Sequence, residues 1–135
     1  MSHFANDHSG GLASLQNSLP IQQILSGEPL GIPGSKPCLR GRRFHWDGVE
    51  FSVLWPTERS GYTGNNQSCV VKIRGMGGTV LLTGDIEQLA EKALIETAGE
   101  SLESIILLVP HHGSITSSSE RFIDSVSPEI AIVSR

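Results

Sequence analysis

Ile105-Ile106-Leu107-Leu108-Val109-Pro110-His111-His112-Gly113-Ser114 sets five apolar residues directly against a proline and two histidines. A short apolar run ended by a breaker predicts a buried strand with a polar loop at its end. Upstream, Leu81-Leu82-Thr83-Gly84-Asp85 has the same form: a β-rich run, then a glycine and a carboxylate. Between the two, Ile86, Leu89, Ala90, Ala93 and Leu94 fall at helical spacing, with Gly99 as the stop. Downstream, Ser117 with Glu120 predicts a capping box opening a helix that holds Phe122, Ile123 and Val126. Pro128 breaks that helix, and Ile130 to Val133 predicts a last strand. Strand and helix alternate through this half, which places the chain in the α/β class.

The first half is richer in turns. Ser2 to Gly11 reads as a polar loop, Leu12 to Leu19 as a short helical stretch ended by Pro20, and Ile21 to Leu25 as a short strand. Ser26 to Lys36, dense in Gly and Pro, reads as loop. Asp47-Gly48 between Arg43 to Trp46 and Val49 to Leu54 predicts a hairpin. After a loop at Gly61 to Gln67, Ser68 to Arg74 and Thr79 to Thr83 are expected to pair across Gly75 to Gly78.

Composition narrows the class. The 135 residues are 38% apolar and 18% charged, which suits one soluble globular domain and excludes disordered, collagen-like and coiled-coil chains. The longest apolar run, Ile105 to Val109, is far short of the ~20 residues a membrane helix needs. The start, Met1-Ser2-His3-Phe4, lacks the basic and apolar regions of a signal peptide. Ten basic against fourteen acidic residues give a net charge of −4, which disfavours a module gripping nucleic acid by bulk electrostatics. Such a balance leaves open a nucleic-acid substrate engaged through a metal ion. Cys38 and Cys69 are too few for a disulfide framework, and the sequence does not decide whether they pair.

The chemistry concentrates in three strings. Ser2-His3-Phe4-Ala5-Asn6-Asp7-His8-Ser9-Gly10-Gly11 opens the chain, Gly84-Asp85 follows one strand, and His111-His112-Gly113-Ser114 follows another. Imidazole and carboxylate together suit zinc, or manganese where oxygen ligands dominate. Each string alone has a plain structural reading: Asp85 or Asp7 as helix caps, the histidine pair as an ordinary loop, His45 as a surface residue beside a turn. Ser114 to Ser119 reads first as hydroxyls capping the following helix, with Ser114 and Thr116 as second candidates for a substrate phosphate. Lys36, Arg40, Arg42 and Arg43 form the one basic cluster, a solvated loop first and a DNA-backbone contact second.

Taken together, the strings resemble the metallo-β-lactamase-like domain at the carboxyl end of ComEC-type DNA-uptake (competence) proteins. The resemblance runs from Ser2-His3 through Asp7-His8-Ser9-Gly10-Gly11, Asn65-Asn66-Gln67-Ser68, Leu81-Leu82-Thr83-Gly84-Asp85 and Val109-Pro110-His111-His112-Gly113-Ser114 to Pro128. It implies an αββα sandwich, here incomplete, with N-terminal strands and the C-terminal end expected to be missing from residues 1–135. The superfamily's first motif is HxHxDH. By that pattern His3 matches the first histidine, Asp7 and His8 the last two positions, Asp85 a bridging Asp, and His111 or His112 the final His. The middle position is Ala5, a departure, and no candidate stands for the superfamily's intermediate His.

The resemblance therefore implies one well-formed site (Asp7, His8, Asp85 and either His111 or His112) and one weak site left with His3 and Asp85. Asp7, Asp85 and His112 are the expected catalytic set. Zinc or manganese held there would polarise a phosphoryl oxygen and lower the pKa of water, so the implied reaction is phosphodiester hydrolysis of incoming DNA, duplex or single strand. The rivals are a relic module guiding the strand and a small-molecule hydrolase on the same fold. Implied partners are DNA, the parent protein's membrane channel and the competence machinery. The parent is expected in a bacterial inner membrane with this domain soluble. Exposed strand edges are expected to promote self-association.

Overall fold

The computed structural model describes residues 1–28, 31–32 and 34–134. The expected loop Ser26 to Lys36 includes Pro29, Leu30 and Pro33, and these, like Arg135, lie outside the described residues. The N-terminal part is more ordered than a polar loop. Asn6–Ser9 forms one helical turn (α1), closed by the Ser9 hydroxyl donating to the Ala5 carbonyl at 2.8 Å. Leu12–Ser18 (α2) follows as predicted and buries no residue. The strand expected over Ile21 to Leu25 shrinks to Ile24–Ser26 (β1), which pairs in parallel with Ser35–Pro37 (β2), a strand drawn from the expected loop.

The rest is a six-stranded sheet whose spatial order equals its chain order. Arg43–Trp46 (β3) and Val49–Trp55 (β4) form the Asp47-Gly48 hairpin. Both turn residues have positive φ, 50° and 78°, as a tight two-residue hairpin turn requires. Val70–Gly75 (β5) and Gly78–Leu82 (β6) pair as expected, closing to a Met76-Gly77 turn. Gln88–Ala98 (α3) then crosses back, stopped at Gly99 with φ 52°. Ile106–Leu108 (β7) and Ile130–Ile132 (β8) add in parallel, joined by Glu120–Val126 (α4).

Strand register makes the two faces chemically different. Ser52, Lys72, Leu81 and Leu107 lie in one cross-strand row, on the face where Leu54, Val70, Ile86, Leu94, Leu102, Phe122 and Val126 build the main core. The next row is Phe44, Phe51, Ile73, Val80, Ile106 and Ile130, apolar across all six strands on the opposite face. A small cluster of Cys38, Val53 and Cys69 covers one corner of that face. Cys38 and Cys69 are joined as a disulfide, with Cα atoms 5.8 Å apart. No described helix is long and apolar enough to cross a membrane.

The capping box is a correction. Ser119, not Ser117, precedes α4, and no side chain of the 114–119 stretch caps it. Ser117 instead donates to the Pro110 and Ser114 carbonyls, both at 2.9 Å, bracing its own loop. The free N–H groups of Ser118 and Ser119 are taken by the two side-chain oxygens of Glu91, fully buried on α3. A carboxylate from a neighbouring helix thus does what a local hydroxyl was expected to do.

Candidate metal centre

The site lies where α1 meets the loop before β5 and the loops after β6 and β7. Asp85 follows β6, but α3 begins three residues later, and no side-chain cap from Asp85 reaches it. Asn66 takes that role from another loop: its Oδ1 accepts from the Glu87 and Ala90 N–H groups at 3.0 and 3.3 Å. Asp85 is thereby left to face the cluster. Gly84 allows this turn, with φ 56° and Ser2 and Ser68 packed where a Cβ would sit.

The expected residues split into those that converge and one that does not. One ligand atom each of Asp7, His8, Asp85 and His112 lie within 4.8 Å of one another. His8 Nε2 is 3.1 Å from Asp85 Oδ1 and 3.4 Å from Asp7 Oδ2. His112 Nε2 is 3.3 Å from Asp7 Oδ2 and 3.7 Å from Asp85 Oδ2. His3 sits at the margin, with Nε2 4.0 Å from Asp85 Oδ2 and its ring centroid 4.5 Å from that of His8. His111 does not join: its ring turns to Asn65, Glu87 and Thr116. His45 sits on β3 beside Glu50, remote from the cluster and exposed.

The donors suit a cation. His3 Nε2 and His8 Nε2 are buried nitrogens without a hydrogen bond, an arrangement costly unless a ligand satisfies them. Burial pushes the His3 imidazole below its ordinary value, which keeps it neutral at pH 7. The hydrogen bond from its own backbone N–H holds the Asp7 carboxyl below its ordinary value, with the His8 and His112 rings adding to that and partial desolvation opposing. His112 Nδ1 lies 3.2 Å from the Ser134 carbonyl and 3.1 Å from its hydroxyl, so Nε2 is the ring nitrogen that faces the cluster. Two carboxylates with two or three imidazoles form a set suited to a borderline divalent cation.

Sequence reasoning missed the residues that hold these donors. Ser68 Oγ accepts from the Asp85 N–H at 3.0 Å and lies 3.2 Å from His3 Nδ1. Ser2 Oγ is 2.8 Å from His8 Nδ1, while its carbonyl is held by the N–H groups of Gly27 and Cys69. The signal was the Asn65-Asn66-Gln67-Ser68 string, whose small polar residues stand directly before a buried strand. Thr116, with Ser114 the second-choice candidate for a phosphate contact, donates its hydroxyl to Glu87 at 2.9 Å.

Over residues 1–135 the chain matches the family described as the metallo-beta-lactamase superfamily. Uncharacterized protein YcaI of Escherichia coli (strain K12) is 42% identical over 134 residues, 99% of this chain and 18% of the relative. Competence protein ComA of Neisseria gonorrhoeae is 39% identical over 134 residues, 99% of this chain and 19% of the relative. Recombination protein 2 of Haemophilus influenzae is 35% identical over 136 residues, 99% of this chain and 17% of the relative. The chain thus spans less than a fifth of the length of these relatives. Its sheet, with helices on one face, matches part of the metallo-β-lactamase fold. The chain belongs to the metallo-β-lactamase superfamily, in which its relatives include ComEC-type competence proteins.

Proposed function

We propose that the chain is a metal-dependent phosphodiester hydrolase of nuclease type, acting on incoming DNA in a DNA-uptake system. The convergence of Asp7, His8, Asp85 and His112 carries this reading. A zinc or manganese ion bound there would supply Lewis-acid polarisation of a phosphoryl oxygen and activation of water at neutral pH. His3, His8 and Asp85 form the buried floor, while Asp7 and His112 line the solvent side where substrate arrives. Asp85 turns Oδ1 toward His8 and Oδ2 toward His3 and His112, so both of its oxygens would be available to hold an ion. Asp7 at the mouth and Asp85 on the floor place two carboxylates in the site, so a phosphodiester approaches only when that charge is compensated. DNA, a membrane channel region and competence machinery are the partners this reading entails, supported by the names of the relatives.

A non-catalytic module that guides the strand is the second reading. Ala5 favours it, since among the described residues Asp85 is the one carboxylate within 4.0 Å of His3 Nε2, which leaves one site of a two-metal clamp short of donors. A manganese-dependent nuclease assay with bound-metal analysis, on wild type and Asp85→Ala, separates the two. Hydrolysis, with about one metal per chain lost in Asp85→Ala, supports the enzyme. Metal binding without hydrolysis supports the guiding module. No binding at all removes the metal-centre reading.

A further inference from the structure

The geometry points to a division of labour within the His-His pair: His111 positions His112 for the cluster through both of its own ring nitrogens. This rests on reading Asp7, His8, Asp85 and His112 as a metal centre. The ring of His111 lies 6.5 Å from that of His112, centroid to centroid, and turns the other way. Its Nδ1 is 3.3 Å from Thr116 Oγ1 and 3.4 Å from Glu87 Oε1, and its Nε2 is 3.4 Å from Asn65 Nδ2.

Donor roles follow from the neighbours. Thr116 Oγ1 donates its only proton to Glu87 Oε1, so toward the ring it can only accept, which puts a proton on Nδ1. The Asn65 amide nitrogen only donates, so Nε2 meets it as an acceptor. Both constraints select one tautomer, and neither nitrogen is left for a cation. The His111 backbone N–H adds a third tie, donating at 3.1 Å to the Gly84 carbonyl, one residue before Asp85.

These ties have a conformation to hold. His111 and His112 both sit in the left-handed region, with φ 49° and 53°. Two successive non-glycine residues there are disfavoured by Cβ–carbonyl crowding and persist only where the surroundings enforce them. Asn65 on one side and Glu87 with Thr116 on the other clamp the His111 ring, and the reversed backbone then carries His112 toward Asp7 and Asp85.

The test compares wild type, His111→Ala and His111→Gln as full chains. One readout is manganese affinity by chelator competition. The others, on metal-free protein, are the ring-to-ring NOE between His8 and His112, whose centroids lie 5.4 Å apart, and the ring nitrogen spectrum of His111. Expected in wild type are a protonated Nδ1, a bare Nε2 and a clear NOE. His111→Ala loses the NOE and about 10–100-fold of manganese affinity. His111→Gln restores both, because its amide can donate to Thr116 and accept from Asn65. Retention of NOE and affinity in His111→Ala overturns the proposal, as does a folded His111→Gln no better than the alanine variant. Should His111→Ala fail to fold, Asn65→Ala removes only the Nε2 partner, and an unchanged NOE there overturns it. A wild type that binds no manganese, yet whose NOE depends on His111, removes the metal-centre reading and upholds the positioning role.

Discussion

At the scale of single residues, the site depends on atoms that carry no catalytic chemistry. Gly84 is one: an added Cβ would lie 2.7 Å from Ser2 Cβ and 2.8 Å from Ser68 Cβ, at a φ of 56°. Gly84→Ala is expected to destabilise the fold by roughly 2–4 kcal/mol, combining the left-handed penalty with overpacking. Manganese affinity should fall with it, because Ser2 and Ser68 hold His8, His3 and Asp85; urea denaturation beside metal titration checks both. Lys72 gives a pH signature well away from the centre. Burial lowers its ammonium below the ordinary 10.5, Arg74 pushes the same way, and Glu103 opposes. Between the lowered value and 10.5 the unfolded chain binds this proton more readily than the folded one, so stability rises with pH across that window. The stability of wild type relative to Lys72→Met should therefore climb as pH approaches 10.5, and a flat difference in urea midpoints would contradict it.

Among elements, the telling contact is the one between α3 and α4. Glu91 is fully buried and takes two N–H groups at the start of α4, a helix of seven residues with no cap of its own. Glu91→Ala leaves both half-buried donors without a partner and opens a cavity, for an expected loss of about 2–4 kcal/mol. Hydrogen exchange should show the Ser118 and Ser119 amides losing protection first; equal protection in the variant would show that α4 holds its own end. The capping box read from Ser117 and Glu120 failed for a physical reason. Local hydroxyls compete with a better acceptor only until the tertiary fold brings that acceptor within reach.

For the whole molecule, the sheet presents helices on one face and an uninterrupted apolar row on the other. Trp46 is 75% exposed, and Phe44, Ile130 and Ile132 are also exposed on that second face. The edge strands are β3 and β8. Self-association was expected from edges; the uncovered face adds a second and larger cause. Sedimentation of this chain should show concentration-dependent assembly that Trp46→Lys with Ile130→Lys reduces. A monodisperse wild type would set the expectation aside.

Local sequence alone determined most of the secondary structure from Arg43 onward, since apolar periodicity, Asp47-Gly48, Gly99 and Pro128 act over a few residues. It also brought forward Asp7, His8 and Asp85, because those residue types are uncommon together in loops at strand ends. It did not choose between His111 and His112. In the fold a left-handed turn faces His112 toward Asp7 and Asp85 and His111 toward Asn65, Glu87 and Thr116, which are remote in sequence or hidden in a serine-rich loop. The roles of Ser68, Asn66 and Glu91 were hidden for the same reason. A hydrogen-bond partner chosen by the fold leaves no period or spacing in the chain, so only the tertiary structure decided which polar side chains hold the site and which merely stand near it.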